Sequence, residues 1–157
     1  MVVYFIFLAL SLIWLLILFF GPYISSMGSE YSLLKDIYYL LFGIICHQKP
    51  ERSYFVWGYQ MPVCVRCFGI YLGIFIGTVI YPFFKGFSNV KIPKFKYLWF
   101  FLTPIIVDGL AQTFNLYYSP HYVRLSTGIF ASTGLAFYFL PLINQIWHRY
   151  KRNSIKS

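Results

Sequence analysis

The sequence predicts an all-α, polytopic transmembrane helical bundle: one integral membrane domain with four strong spans and one short or half-membrane helix. Three observations predict it. Hydrophobic residues make up 59% of the chain and charged residues only 11%, whereas soluble domains carry about a quarter charged residues. With a mean hydropathy of +0.66, too little polar surface is left to face water on every side. The apolar residues also fall in runs approaching the roughly 20 that a membrane-crossing helix needs. Finally, the basic residues gather between and after these runs instead of spreading over a face.

The first span is residues 2–20, with no charge in it. It lacks the basic leading segment of a secretion signal, and its apolar run exceeds the usual 7–15-residue core, so it reads as a retained helix. Residues 31–46 are apolar mainly after Asp36 and predict either a short span or a helix dipping into one leaflet. Residues 63–84 form the second strong span, with Arg66 near its start. The third, 97–118, is interrupted by Asp108, and the fourth is 124–147.

The net charge of +9 does not point to nucleic acid, because it is segregated by position. Lys85, Lys91, Lys94 and Lys96 fill one loop, and Arg149, Lys151, Arg152 and Lys156 form the C-terminal tail. Lys and Arg near span ends set orientation, so loop 85–96 and the C-terminus are expected in the cytoplasm of a cell-membrane protein. Two spans separate the clusters, so they agree. Residues 46–67 and the turn at 119–122 are then extracytoplasmic. The N-terminus lies outside if 31–46 spans and inside if it dips.

Gly69, Gly73 and Gly77 make a small-residue row in the second strong span, and Gly128, Ser132 and Ala136 make a matching row in the last. Such rows let helix backbones approach closely in lipid. They predict a compact bundle and also allow a homo-oligomer. Asp108, Gln112 and Asn115, at spacings of four and three, share one helix face. An ionisable residue at mid-membrane depth marks a functional site or a buried partner. Arg66 and Arg124 are the candidate partners, and a structural Asp–Arg clamp stands beside a transport path as the reading of this stripe.

All three cysteines lie in CHQKPERSYFVWGYQMPVCVRC, residues 46–67. Cys64-Val-Arg-Cys67 follows Pro62 at an expected helix start, where proline is well tolerated. The helix dipole and Arg66 favour thiolate there. Three chemistries remain open. Cys46, Cys64 and Cys67, with His47 or His121, suit a tetrahedral site for zinc or another transition metal. The CxxC pair instead suits a thiol–disulfide oxidoreductase that uses quinone, with Cys46 as partner sulfur. A fixed disulfide with one spare cysteine is the third reading. Gly-rich phosphate loops, HExxH and nucleophile elbows are absent from the sequence. Glu51-Arg52-Ser53 reads as a set of turn formers in preference to a headgroup site.

The cysteine block resembles that of a family of small prokaryotic multi-pass membrane proteins of unknown function. Cys46, His47, Gln48, Pro50, Arg52, Ser53, Pro62, Cys64, Arg66, Cys67, Gly69, Tyr71 and Gly73 carry the resemblance. A second block matches at Asp108, Gly109, Gln112, Arg124, Thr127 and Gly128, with His121 where the family tends to have Asn. The resemblance covers about residues 31–140. It implies a multi-pass membrane protein in which the two blocks belong together, and it supplies no activity or substrate.

Overall fold

The structure, a computed structural model, describes residues 2–87 and 89–156; the side chains of Ser29 and of residues 153–156, Lys156 of the basic tail included, lie outside that description. It is mostly helical. Among the described residues five α-helices run in chain order: α1 Val2–Ser26, α2 Ser32–Gly43, α3 Val65–Lys85, α4 Phe95–Thr113 and α5 His121–Lys156. Between α2 and α3 lies an antiparallel hairpin of β1 Ser53–Val56 and β2 Tyr59–Cys64. The expectation of an all-α chain is corrected here. Trp57 and Gly58 both take positive φ, 53° and 82°, as the tight two-residue hairpin turn requires. The aromatic and β-branched residues on either side suit paired strands.

Among the described residues three helices are long and apolar enough to cross a membrane: α1, α3 and the His121–Arg152 part of α5. The third expected strong span, 97–118, is not among them, and its helix is shorter than the apolar run suggested. Helix α4 ends at Thr113, after which Asn115 turns the chain with φ 53°. Lys96, Asp108 and Gln112 dilute its hydropathy, yet α4 still runs from the basic loop to the hairpin end, alongside α5. The other boundaries also move. Helix α1 continues through Pro22 to Ser26, and Val63 and Cys64 belong to β2 instead of the helix. At 36 residues α5 extends about 54 Å, well beyond the roughly 30 Å hydrocarbon core.

Helix α2 has 12 residues, about 18 Å of length. That is too short to cross. It lies antiparallel to the upper half of α1: Tyr38 donates to the Ile17 carbonyl, and the Phe42 ring packs beside Trp14. The chain therefore doubles back along α1 before it reaches Cys46, and of the two expectations for 31–46 the helix has the length of the shorter one.

Packing centres on α3 and α5. An added Cβ at Gly69 would lie 2.6 Å from the Leu125 carbonyl oxygen, at Gly77 2.7 Å from Ala136 Cβ, and at Gly128 2.8 Å from the Arg66 carbonyl oxygen. The two small-residue rows face each other, as their spacing predicted. Thr133 adds a hydrogen bond across the seam to the Gly73 carbonyl at 3.1 Å. Helix α1 packs against α3 in the opposite direction. Tyr4 donates to the Thr78 carbonyl at 3.1 Å and stacks edge-on with Phe87, while Tyr23 meets Trp57 at the other end. At the basic end, Asn144 and Gln145 of α5 donate to the carbonyls of Asn89 and Val90, at 3.2 and 2.7 Å. At the hairpin end, Leu15, Leu18, Phe42, Met61 and Val63 pack with Cys46 into a buried cluster.

Candidate functional site

The cysteines arrive from two segments. Cys46 follows the C-terminal turn of α2, where its N–H donates to the Phe42 carbonyl at 3.0 Å. Cys64 is the last residue of β2 and the N-cap of α3, and Cys67 stands in the first turn of that helix. Pro62 is thus a strand residue, and the CxxC unit straddles a strand–helix junction instead of sitting within one helix. The hairpin fixes this junction by pairing Cys64 with Ser53 across the sheet.

The loop from Cys46 to the hairpin is tied down residue by residue. Gln48, at φ 48°, donates from Nε2 to the Tyr39 carbonyl at 2.8 Å. The Tyr39 hydroxyl donates to the Gln60 carbonyl, and the Gln60 amide donates to the Gln48 carbonyl. Ser53 Oγ donates to the Lys49 carbonyl at 2.9 Å. Gln48 is therefore a brace for the loop.

All three cysteines are free, and their sulfurs lie within 4.8 Å of one another. Cys64 Sγ and Cys67 Sγ are 3.4 Å apart, far beyond the roughly 2.05 Å of a disulfide. The Cys64 backbone N–H donates to Cys46 Sγ at 3.1 Å. Cys46 is buried and the other two are half-buried. Hydrogen bonds from the Cys64 and Cys67 thiols, with backbone N–H groups of Gln48 and Cys64, hold the Cys46 thiol far below its usual range despite burial. A tetrahedral ion with metal–sulfur bonds of about 2.3 Å separates its sulfur ligands by roughly 3.8 Å. The observed cluster lies close to that spacing.

The histidines are placed differently. Exposed His47 lines the cavity beside the sulfurs but lies outside the close cysteine group. His121 Nε2 lies 3.1 Å from the Glu51 carbonyl oxygen, and its ring meets Tyr54, away from the thiols.

The polar stripe resolves into a clamp. Asp108, 4% exposed, accepts hydrogen bonds from Arg66, from Gln112 Nε2 at 3.0 Å and from the Tyr117 hydroxyl. Of the two candidate partners it is Arg66 that pairs with Asp108, while Arg124 stands apart. Asn115 is off the stripe, because α4 has already ended. Thr127 donates to the Val123 carbonyl of its own helix at 2.8 Å. Sequence spacing missed Tyr117, which reaches Asp108 from the non-helical segment after α4.

A cavity of about 350 Å³ opens beside the sulfurs. Its walls include all three cysteines with Lys49, Arg52 and Arg124. Lys49 was not foreseen as part of the site; its position in the CHQK run beside His47 was the available signal.

A mostly helical chain with three helices fit to cross a membrane, capped by a thiol cluster, defines a membrane-protein class. The chain belongs to the family described as "Predicted membrane protein (DUF2085)", which matches residues 46–138. It is 40% identical over 152 residues to an uncharacterized protein of Methanocaldococcus jannaschii, covering 94% of this chain and 97% of that one. It is 38% identical over 107 residues to an uncharacterized protein of Methanothermobacter thermautotrophicus, covering 68% and 95% respectively. No solved structure matches.

Proposed function

We propose that this chain is a four-crossing cell-membrane protein that holds one thiophilic metal ion, of zinc type, between Cys46, Cys64 and Cys67 on the extracytoplasmic side. The observation that carries this reading is the convergence of three free sulfurs from two chain segments within 4.8 Å. His47, already at the cavity wall, is the nearest protein candidate for the fourth ligand. His121 would first have to leave the Glu51 carbonyl. In this reading α4 crosses alongside α5, and the dip of α2 returns the N-terminus to the cytoplasmic side with both basic clusters. The small-residue rows are occupied within one chain, so a homo-oligomer would form on other surfaces.

The test is elemental analysis of detergent-purified protein with parallel thiol counting. About one metal ion per chain is expected, lost in Cys64→Ser and Cys67→Ser. Protein free of metal with three intact thiols would remove the proposal.

The 3.4 Å contact between Cys64 and Cys67 favours a second reading. Two thiols there lose two electrons and two protons to form a disulfide, and a quinone takes both up as quinol. A redox titration showing no reversible two-electron step at these residues dismisses it.

A further inference from the structure

Arg124 is 2% exposed, and its Nε and both terminal nitrogens have no hydrogen-bond partner among the described residues. Its guanidinium lies over the face of the Tyr118 ring, 4.9 Å away. The contrast with Asp108 is sharp, since that buried charge has three donors. A guanidinium cannot relieve its burial by losing a proton, and a charge kept from water demands a counter-charge. Neither an acidic side chain nor a cysteine sulfur supplies one, because none lies within hydrogen-bonding reach of its nitrogens.

Arg124 lines the 350 Å³ cavity beside the cysteines and also a second cavity of about 210 Å³. Arg52 and Gln112 line both cavities as well, and Arg52 Nε is a further buried donor without a partner. Lys49 adds another cation to the larger cavity. No Asp or Glu among the described residues lines either one. Among the described residues, Arg66 alone of the cations at the larger cavity has an acidic partner, Asp108.

We infer that this cavity is a binding site for a phosphate-type oxyanion, with Arg124 and Arg52 as the principal donors and Lys49 and Gln112 in support. A planar guanidinium presents paired N–H groups that match the oxygens of such an anion. Three unneutralised cations in a wall without carboxylates favour a multiply charged anion over a single carboxylate. The anion is either free in solution or the headgroup phosphate of an anionic lipid, since both present the same oxygens. The site does not require the cysteines to hold a metal.

The experiment uses the full chain after removal of metal and co-purified lipid. Inorganic phosphate, with chloride as control, is titrated while the thermal midpoint is followed. The same measurement is made in nanodiscs of phosphatidylcholine with and without phosphatidylglycerol. A rise with phosphate in detergent identifies a free anion, and a rise only with phosphatidylglycerol identifies a lipid headgroup. In either case Arg124→Gln should weaken the response about 10- to 100-fold, as expected for loss of a charged hydrogen-bonding group. Arg124→Met should abolish it while matching or exceeding the wild-type midpoint without ligand, because a buried unpaired charge has been removed. Cys64→Ser should retain the phosphate response even where it loses metal, which separates this site from the metal reading. Wild-type protein responding to neither probe beyond the chloride control would overturn the inference. So would an Arg124→Met chain that folds and still responds in full.

Discussion

Arg66 of α3 donates to Asp108 of α4 across two helices that scarcely touch elsewhere, since both pack on α5. The pair holds the hairpin ends of α3 and α4 together. Asp108 is nearly fully buried and Arg66 lines the cavity with Lys49, Arg52 and Arg124, so removing Asp108 leaves a half-buried cation unpaired among other cations. Asp108→Leu should destabilise the bundle by about 3 kcal/mol, as for other broken buried pairs. The double variant Asp108→Leu with Arg66→Met should recover most of that loss. Denaturant unfolding in detergent measures both. If Asp108→Leu leaves stability unchanged, Asp108 is not acting as a clamp.

The facing glycine rows give a second expectation. At Gly73 an added Cβ would lie 2.8 Å from Ile129 Cα and would also press on the Ser132 hydroxyl. Backbone cannot move aside as a side chain can, so Gly73→Ala should cost about 1–3 kcal/mol by overpacking. Gly43 is the internal control. Nothing lies within 4 Å of the Cβ position there, and Gly43→Ala should be neutral or stabilising by up to about 1 kcal/mol. Equal effects at the two positions would show that the seam is not closely packed.

The thiol cluster makes stability depend on pH in a defined direction. Cys46 ionises more readily folded than unfolded, so the unfolded chain binds the extra proton. Its contribution is complete above the unfolded thiol pKa, about 8.5, and shrinks as pH falls toward the folded value. Metal-free, reduced wild type should therefore lose stability relative to Cys46→Ser as pH is lowered from 9 to 6. The slope is at most about 1.4 kcal/mol per pH unit. Parallel unfolding curves at the two pH values check it, and an advantage that grows on acidification would have the wrong sign.

How much of this was legible in the sequence depended on whether local periodicity governed the residue. The facing of Gly73 and Ser132, and of Asp108 and Gln112 on one helix, followed from regular helical spacing. The approach of Cys46 to Cys64 was expected from chemistry, though not its route. Trp57-Gly58 hid the hairpin, because tryptophan is a poor marker for a positive-φ turn position. Asn115 failed for a related reason: spacing assigned it to a helix that had already ended. Tyr117 and Arg124 were misjudged because tertiary contacts decide them. One reaches back from a non-helical segment, and the other is buried without reaching the carboxylate that spacing offered it.

Sidedness is the remaining expectation, and the two ends of the bundle allow it to be tested with one reagent. The cysteines lie at the hairpin end of the bundle, while exposed Lys91 lies in the basic loop at the other. Lysine and arginine near span ends favour the cytoplasm, so the thiols should face outward. After mild reduction and chelation of intact cells, a membrane-impermeant maleimide should label the native cysteines. In a chain with all three cysteines replaced by serine, Lys91→Cys should be labelled only once the cells are opened. Reversal of both patterns would invert the bundle, while labelling of both sites in intact cells would mean that the reagent had crossed the membrane. The paired sites separate those outcomes, because a correct orientation requires the native cysteines to react and Lys91→Cys to stay protected in parallel samples of intact cells.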